Sequence, residues 1–448
     1  MTLLLNHFLS YPFGTKSYIC LSQIKFIMQT YAEVLTYAIP LFMVLILIEF
    51  GISRIKGVSV VRSFDTVSSL SSGLTNSLKE VLGLAVIIIS YGWMVEHLSL
   101  FEIESKVWLY VLTFIGLDFA GYWAHRFEHK INILWNRHII HHSSEEFNLA
   151  CALRQNISAV FGVFFFLLIP LAIIGIPGEV IALVAPLHLF AQFWYHTRLI
   201  DKMGVLEHVI VTPSHHRVHH AINDIYMDRN FGQVLILWDK LFDSFQEELV
   251  DEVPVYGVKR QANTWNPFLI NFQHLWILLK DSWSTKSWSD KLKVFIKPTG
   301  WRPADLETSD PIPYTEFAED QVKYQTEGSL MMHIWIWSQM IITLILMLYM
   351  FQSISDFSFL FIALYGAFLG VSIFGYTSLM DHSKISIPFE IIKIILGLGL
   401  IYQLGDWFGV NELIPFGTAL IVIYLIISLS LNIYFLNENK ELEPNLVN

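Results

Sequence analysis

Charge is what this chain has least of. Only 15% of its 448 residues are charged, while 54% are hydrophobic. A soluble domain carries about a quarter charged residues, so the deficit argues for a membrane protein. Basic residues are the scarcer sign: 28 Lys and Arg against 39 Asp and Glu, a net charge of -11. That balance argues against a nucleic-acid partner, because neutralising phosphates needs a basic surface. Two cysteines, Cys20 and Cys151, give neither a disulfide framework nor a thiolate metal site. Any metal must therefore be held by nitrogen or oxygen. The first 27 residues lack a basic start and a small-residue cleavage site, which argues against a signal peptide. An apolar span begins just after Met28, so residues 1–27 read as an upstream extension. There is no fixed-period repeat and no low-complexity tract.

Long apolar runs are what the chain does have. Crossing a bilayer takes about 17–25 mostly apolar residues. Nine stretches qualify: roughly 33–52, 80–98, 106–124, 158–176, 178–197, 330–352, 357–377, 387–405 and 414–436. The expected fold is an all-α polytopic membrane protein of about nine transmembrane helices, with a helical, histidine-rich cap on one side. Basic residues alternate between the loops: Arg54, Lys56, Arg62 and Lys79 after the first run, then Arg126, Lys130, Arg137 and Arg154, then Arg198, Lys202 and Arg217. By the positive-inside rule these loops are cytoplasmic. The expected location is the endoplasmic reticulum in a eukaryote, or the cytoplasmic membrane in a bacterium. The expected organisation is a catalytic region over 28–262, a Trp-rich interfacial segment over 263–328, a four-helix extension over 329–436 and a tail over 437–448. Trp265, Trp276, Trp283, Trp288 and Trp301, interleaved with lysines, suit helices lying in the headgroup layer.

Histidine is the other excess. Twelve of the 17 histidines lie between His125 and His220. HRFEH supplies His125 and His129, HIIHH supplies His138, His141 and His142, and HRVHH supplies His216, His219 and His220. His196 ends the fifth run. Residues at i, i+3 and i+4 share a helix face, so each box aims imidazoles together. A zinc ion takes three or four ligands. Nine imidazoles exceed one ion and fit two, each with a position left for water or oxygen. Imidazole suits zinc, copper, iron and nickel alike. His125, Glu128 and His129 also read as HxxEH, the inverted zinc-protease pattern, but that leaves both HxxHH boxes unexplained. A metal transporter would place its ligands inside the spans, whereas these lie just outside them.

The order HxxxH, HxxHH, HxxHH between apolar hairpins resembles the fatty acid hydroxylase and sterol desaturase superfamily. HHSSEEFNLACALRQN (141–156), QFWYHTRLI (192–200), TPSHHRVHHAIN (212–223), DRNFGQVLILWDKLFDSFQEE (228–248) and VYGVKRQANTWNPF (255–268) are similar to its glyceryl-ether monooxygenase branch. The resemblance implies two irons held by His125, His129, His138, His141, His142, His196, His216, His219 and His220. It implies O2 and tetrahydrobiopterin as co-reactants, and hydroxylation of a 1-O-alkylglycerol drawn from the bilayer, with release of a fatty aldehyde and glycerol. A pterin-dependent enzyme needs no reductase partner; sterol desaturases and fatty acyl hydroxylases, which share the boxes, do. The chain departs from that branch at Lys130, which stands where an acid follows the first box. Breaking an unactivated C–H bond needs an oxidant that no side chain provides. Carboxylates offsetting the metal charge and orienting imidazoles are expected among Asp118, Glu128, Glu145, Glu146 and Asp239, with His215 beside them. Asn148, Arg154 and Gln155 either hold the pterin or glycerol head or brace the loops.

Overall fold

The computed structural model describes residues 18–82, 91–103, 106–158 and 163–442. Its regular elements are helices, and the only β pairing among the described residues is two isolated bridges, Ile210 with Leu235 and Ala221 with Tyr256. In chain order the elements that matter are α1 (Tyr18–Lys56), α2 (Ser63–Val81), α3 (Tyr91–Leu98), α4 (Val107–Lys130), α5 (Ile139–His142), α6 (Ile169–Ile174), α7 (Gly178–Phe190), α8 (Pro213–His219), α9 (Pro267–Ser284), α10 (Trp288–Ile296), α11 (Leu330–Ser353), α12 (Phe359–Met380), α13 (Ser386–Leu404) and α14 (Gly417–Leu442). Residues 1–17 of the expected extension and 443–448 of the expected tail lie outside the described residues. Residues 18–27 begin α1.

Six described helices are long and apolar enough to cross a membrane: the Ala32–Lys56 part of α1, then α4, α11, α12, α13 and the Gly417–Glu438 part of α14. The protein is therefore an integral membrane protein. The other three expected spans differ. Of 80–98, residues 83–90 lie outside the described residues, 80–82 are the last residues and C-cap of α2, and the remainder is α3, eight residues long. In place of 158–176 and 178–197 stand α6, preceded by a 3-10 turn, and α7. At 1.5 Å per residue, the 13 residues of α7 reach about 20 Å, short of the ~30 Å hydrocarbon core. These helices fold as a hairpin against α3 and α4. Gly175 makes its bend at φ 88°, where a Cβ would fall 2.0 Å from the carbonyl oxygen of Phe101, so no other residue fits the turn.

The helix that sequence periodicity missed is α2. Its SFDTVSSLSSGLTNSLKEV is too rich in hydroxyls to score as a span, yet it is buried on most sides. The hydroxyls are satisfied laterally: Ser68 donates to the Trp265 carbonyl at 2.8 Å, Ser72 to the Gln155 carbonyl at 3.0 Å, and Ser71 pairs with the Tyr376 hydroxyl at 2.6 Å. It links α1 and α9 to α11 and α12. Ile46, Val67, Leu74, Ile336, Leu369, Ile373 and Trp407 belong to one continuous core: α11 packs on α1 and α2, α12 on α2, and α13 and α14 on α12 and each other.

Between α7 and α11 the chain is mostly loop, with three well-capped helices. Pro213 opens α8 behind the N-cap Thr212. The Asn266 side chain caps α9, accepting from the backbone N–H of Phe268 and Leu269, and Ser287 caps α10. α9 buries Ile270, His274 and Leu278 against the site below, and leaves Phe272, Trp276 and Trp283 exposed.

Candidate metal centre

The three boxes meet although they come from different elements. The first box occupies the last two turns of α4, whose apolar N-terminal part is a candidate span. The second box is α5 and its preceding turn, the third is α8, and His196 follows the α7 hairpin. Their imidazoles form two groups, in each of which the nearest ring nitrogens lie within 4.8 Å of one another: His125, His129, His138, His142 and His219, and His141, His196, His216 and His220. The groups adjoin, with His142 of one stacked on His220 of the other at 4.3 Å between ring centroids. Each HxxHH box is divided between them. Its i and i+4 members enter one group and the middle member, at i+3, enters the other.

The nitrogens point inward as bare acceptors. His141 and His196 place Nδ1 on carbonyl oxygens, of Arg154 at 3.2 Å and of Gln192 at 3.0 Å. A carbonyl only accepts, so each Nδ1 carries the ring's proton and each Nε2 is a lone pair. Yet their Nε2 atoms are 3.3 Å apart, and His196 Nε2 lies 2.8 Å from His216 Nε2. His125 repeats the pattern: Nδ1 is 2.8 Å from the Phe231 carbonyl and Nε2 is 2.9 Å from His138 Nε2. Nε2 of His129, His142 and His219 is buried without any hydrogen-bond partner. Protonation does not relieve the crowding. Burial, then the neighbouring imidazoles, push His138, His142, His216 and His220 far below the usual histidine range. Burial, facing His125 and His129, does the same to His219. Neutral rings with converging lone pairs are the donor set of a cation.

Backbone oxygens and two acids set the rings. The Arg229 carbonyl holds His219 Nδ1 at 2.9 Å. Glu128 lies 3.5 Å from His138 Nδ1 while taking Arg137 Nε at 2.9 Å. Engaged in this way, and beside five histidines rather than two, Glu128 is not placed as the free base an HxxEH protease needs. Asp228 lies 3.6 Å from His129 Nδ1 and 2.7 Å from Lys130 Nζ. Asp228 was not foreseen, since nothing local marks an acid 99 residues away as a neighbour of His129. It supplies in space the acid that Lys130 displaces from the chain position.

Several expected partners stand elsewhere. Asp118 touches none of the nine imidazoles. It accepts His188 Nε2 at 2.7 Å, the Trp238 indole at 2.8 Å and the backbone N–H of Val234 and Leu235. Asp239 accepts from the N–H of Phe231 and Gly232 at 2.7 and 2.6 Å, and burial lifts its pKa to about 6. Both acids fix the loop whose Phe231 carbonyl orients His125, so they act one step removed. Glu145, raised by burial to about 7, binds Gln261 and the Tyr324 N–H, and Glu146 binds Arg198 and Lys323. They tie the cap together. His215 faces away and closes the capping box of α8 with Thr212. Arg154 spends its guanidinium on Ser69, Ser143 and Asp65, Gln155 bonds Ala152, and Asn148 caps Cys151 and bonds Val60. These bonds brace the loops around the second box.

A cavity of about 700 Å³ has His129, His142 and His219 in its lining, the three rings with partnerless Nε2. That volume suits a small organic reactant.

The fatty acid hydroxylase family model matches residues 110–244, which hold all nine histidines. Alkylglycerol monooxygenase of Homo sapiens is 37% identical over 314 residues, 68% of this chain and 69% of its own. That of Xenopus tropicalis is 36% identical over 64% of each chain, and that of Danio rerio 31% identical over 82% of each. This chain belongs to the alkylglycerol monooxygenase family. As a member it is an oxidoreductase, a membrane lipid monooxygenase, and the protease and transporter readings of the boxes fall away. No solved structure matches the chain.

Proposed function

We propose that this protein is a di-iron, tetrahydrobiopterin-dependent monooxygenase that cleaves 1-O-alkylglycerols. The carrying observation is the pair of adjoining histidine groups, five and four, whose lone pairs converge with no donor to meet them. Family membership supports the substrate. The nine histidines are the proposed ligands, and two iron ions held by them would supply the dioxygen activation that no side chain can. The chain's own contribution is positional. Carbonyls of Phe231, Arg154, Gln192 and Arg229 fix the tautomers of His125, His141, His196 and His219, so Nε2 is the donor in each. Asp228 and Glu128 bring negative charge beside an otherwise all-neutral ligand set.

The reaction consumes one O2, two electrons and two protons. The carbon next to the ether oxygen exchanges C–H for C–OH and one oxygen leaves as water. The hemiacetal then collapses to fatty aldehyde and glycerol. A tetrahydropterin supplies both electrons, so no reductase subunit is required. The histidine cap faces the cytoplasm by the distribution of Lys and Arg. The exposed tryptophans and lysines of α9 and α10 lie at the headgroup layer, which brings the cavity to the membrane edge.

The test is aldehyde release from a 1-O-alkylglycerol by iron-loaded membranes, with and without tetrahydrobiopterin, against His216→Ala. Aldehyde that needs both O2 and pterin, and vanishes in the variant, is expected. No aldehyde from a preparation holding about two irons per chain would sink the ether-lipid assignment and redirect the search to sterols and acyl lipids.

A further inference from the structure

The cavity that reaches the five-histidine group is also lined by residues within 221–228, 257–260 and 299–314. Its charges are almost all paired. Lys259 meets Asp224 at 2.6 Å, Arg302 meets Asp281 at 2.7 Å, and Asp228 meets Lys130 at 2.7 Å. Glu307 also lines the cavity but is exposed to solvent. Arg260 is different. It is half-buried, it lines both this cavity and the apolar recess of Ile139, Ile270 and Ile277 beside it, and it makes no hydrogen bond or ion pair among the described residues. Its neighbour Arg302 is a like charge, already committed to Asp281. Burial, then Arg302, pull Arg260 below the usual arginine range, with Asp281 pulling the other way.

A guanidinium presents five donors and no acceptor, and it is always charged. Arg260 has no protein acceptor, yet its nitrogens are not sealed from solvent, so its donors are available where it lines the cavity. The buried arginines Arg154, Arg217 and Arg302 each have acceptors, and even Arg62 and Arg198, each with one buried nitrogen unmet, bond through another. We propose that Arg260 is the anchor of the reactant admitted to this cavity, donating to an acceptor oxygen on its polar end and holding that end beside His129, His142 and His219. The inference rests on the oxygenase reading above. Two of its reactants carry such an oxygen with N–H or O–H groups beside it: the glycerol end of the ether lipid and the amide edge of the pterin.

The experiment has an arm for each source. Full-length, iron-loaded protein is compared with Arg260→Met and Arg260→Lys. KM is measured for tetrahydrobiopterin at saturating alkylglycerol and for alkylglycerol at saturating pterin. Independently of turnover, Kd is measured for oxidised biopterin by fluorescence quenching and for alkylglycerol by equilibrium dialysis. Iron per chain is determined throughout. Arg260→Met is expected to raise KM and Kd for one reactant at least tenfold, about 1.4 kcal/mol, with kcat within about threefold and iron unchanged. Such a split marks lost binding rather than lost chemistry. Arg260→Lys keeps the charge without the planar fork and is expected to fall between; it also carries the test if the Met variant loses iron. A shift in the pterin arm assigns the cavity to the reductant, and a shift in the lipid arm assigns it to the substrate head. An active wild type whose variants leave every KM and Kd unmoved overturns the anchor alone. A wild type that binds neither probe and releases no aldehyde overturns the oxygenase reading, and the anchor falls with it.

Discussion

Two regions of this protein bury polar groups deeply, and they do it in opposite ways. Within α11–α14, Lys393 and Glu390 are both essentially inaccessible. Lys393 Nζ reaches Glu390 at 2.9 Å and Ser428 at 2.6 Å, Ser428 donates to Glu390 at 2.6 Å, and Gln339 donates to Ser428 at 2.6 Å. Every charge there has an opposite charge and a hydroxyl. In the histidine cap the buried nitrogens face one another as acceptors, and three Nε2 atoms have no partner at all. The first arrangement is complete within the protein and serves packing between helices, where no water can satisfy a polar group. The second is incomplete within the protein and needs a cation. Burial of polar atoms therefore does not mark a functional site by itself; unmet donor demand does.

The comparison is tested most severely at a ligand. His216→Ala is expected to lower aldehyde release more than 100-fold and to deplete iron, since loss of a mere orienting partner already costs about 10–100-fold. Metal analysis and the aldehyde assay check this together, and retained iron with full activity would break the contrast between the regions. Next is Lys393→Met, which strands Glu390 in the bundle. It is expected to cost about 3–5 kcal/mol of stability, with Lys393→Met plus Glu390→Leu recovering most of it. Unfolding in detergent reads the loss, and activity per folded chain stays at the wild-type level. Chelation of iron should then separate the regions directly. Ligand loss removes RT ln(1 + [L]/Kd), about 4 kcal/mol at a thousandfold excess over Kd. Hydrogen exchange should accelerate in α5 and α8 and stay unchanged in α12 and α13. Uniform acceleration would mean the two regions are one cooperative unit.

Asp228→Asn keeps a polar neighbour on His129 but removes its charge. A 10–100-fold fall in iron affinity is expected, read by metal competition. The smallest effects belong to the exposed aromatic face. Trp283 and Trp288 are 87% and 84% exposed, so Trp283→Ser or Trp288→Ser should change stability by no more than about 0.5 kcal/mol. Each variant should nonetheless lose part of the fluorescence quenching given by brominated lipids. Unchanged quenching would place those helices off the membrane.

Much of the site was legible before any coordinates. The nine histidines that the boxes and His196 supply are the nine that meet in the two groups. Box spacing is a local property of a helix, so i and i+4 members stay together whatever the rest of the chain does. The six long spans were legible for a similar reason, because apolar length needs no tertiary context. The carboxylates were not. Asp118 and Asp239 looked like partners of the imidazoles and instead anchor the 231–239 loop, while Asp228 was invisible until the loop folded back onto α4.

Sequence alone thus determined a membrane protein, its ligand type and which histidines travel as pairs, since composition and helical pitch act over a few residues. Only the tertiary structure decided how nine rings divide into five and four, why the middle member of each HxxHH box crosses to the other group, and that half-buried Arg260 makes no hydrogen bond or ion pair among the described residues. Those outcomes depend on α4, α5, the turn at His196 and α8 being brought together across about 100 residues by packing, which no local pattern encodes.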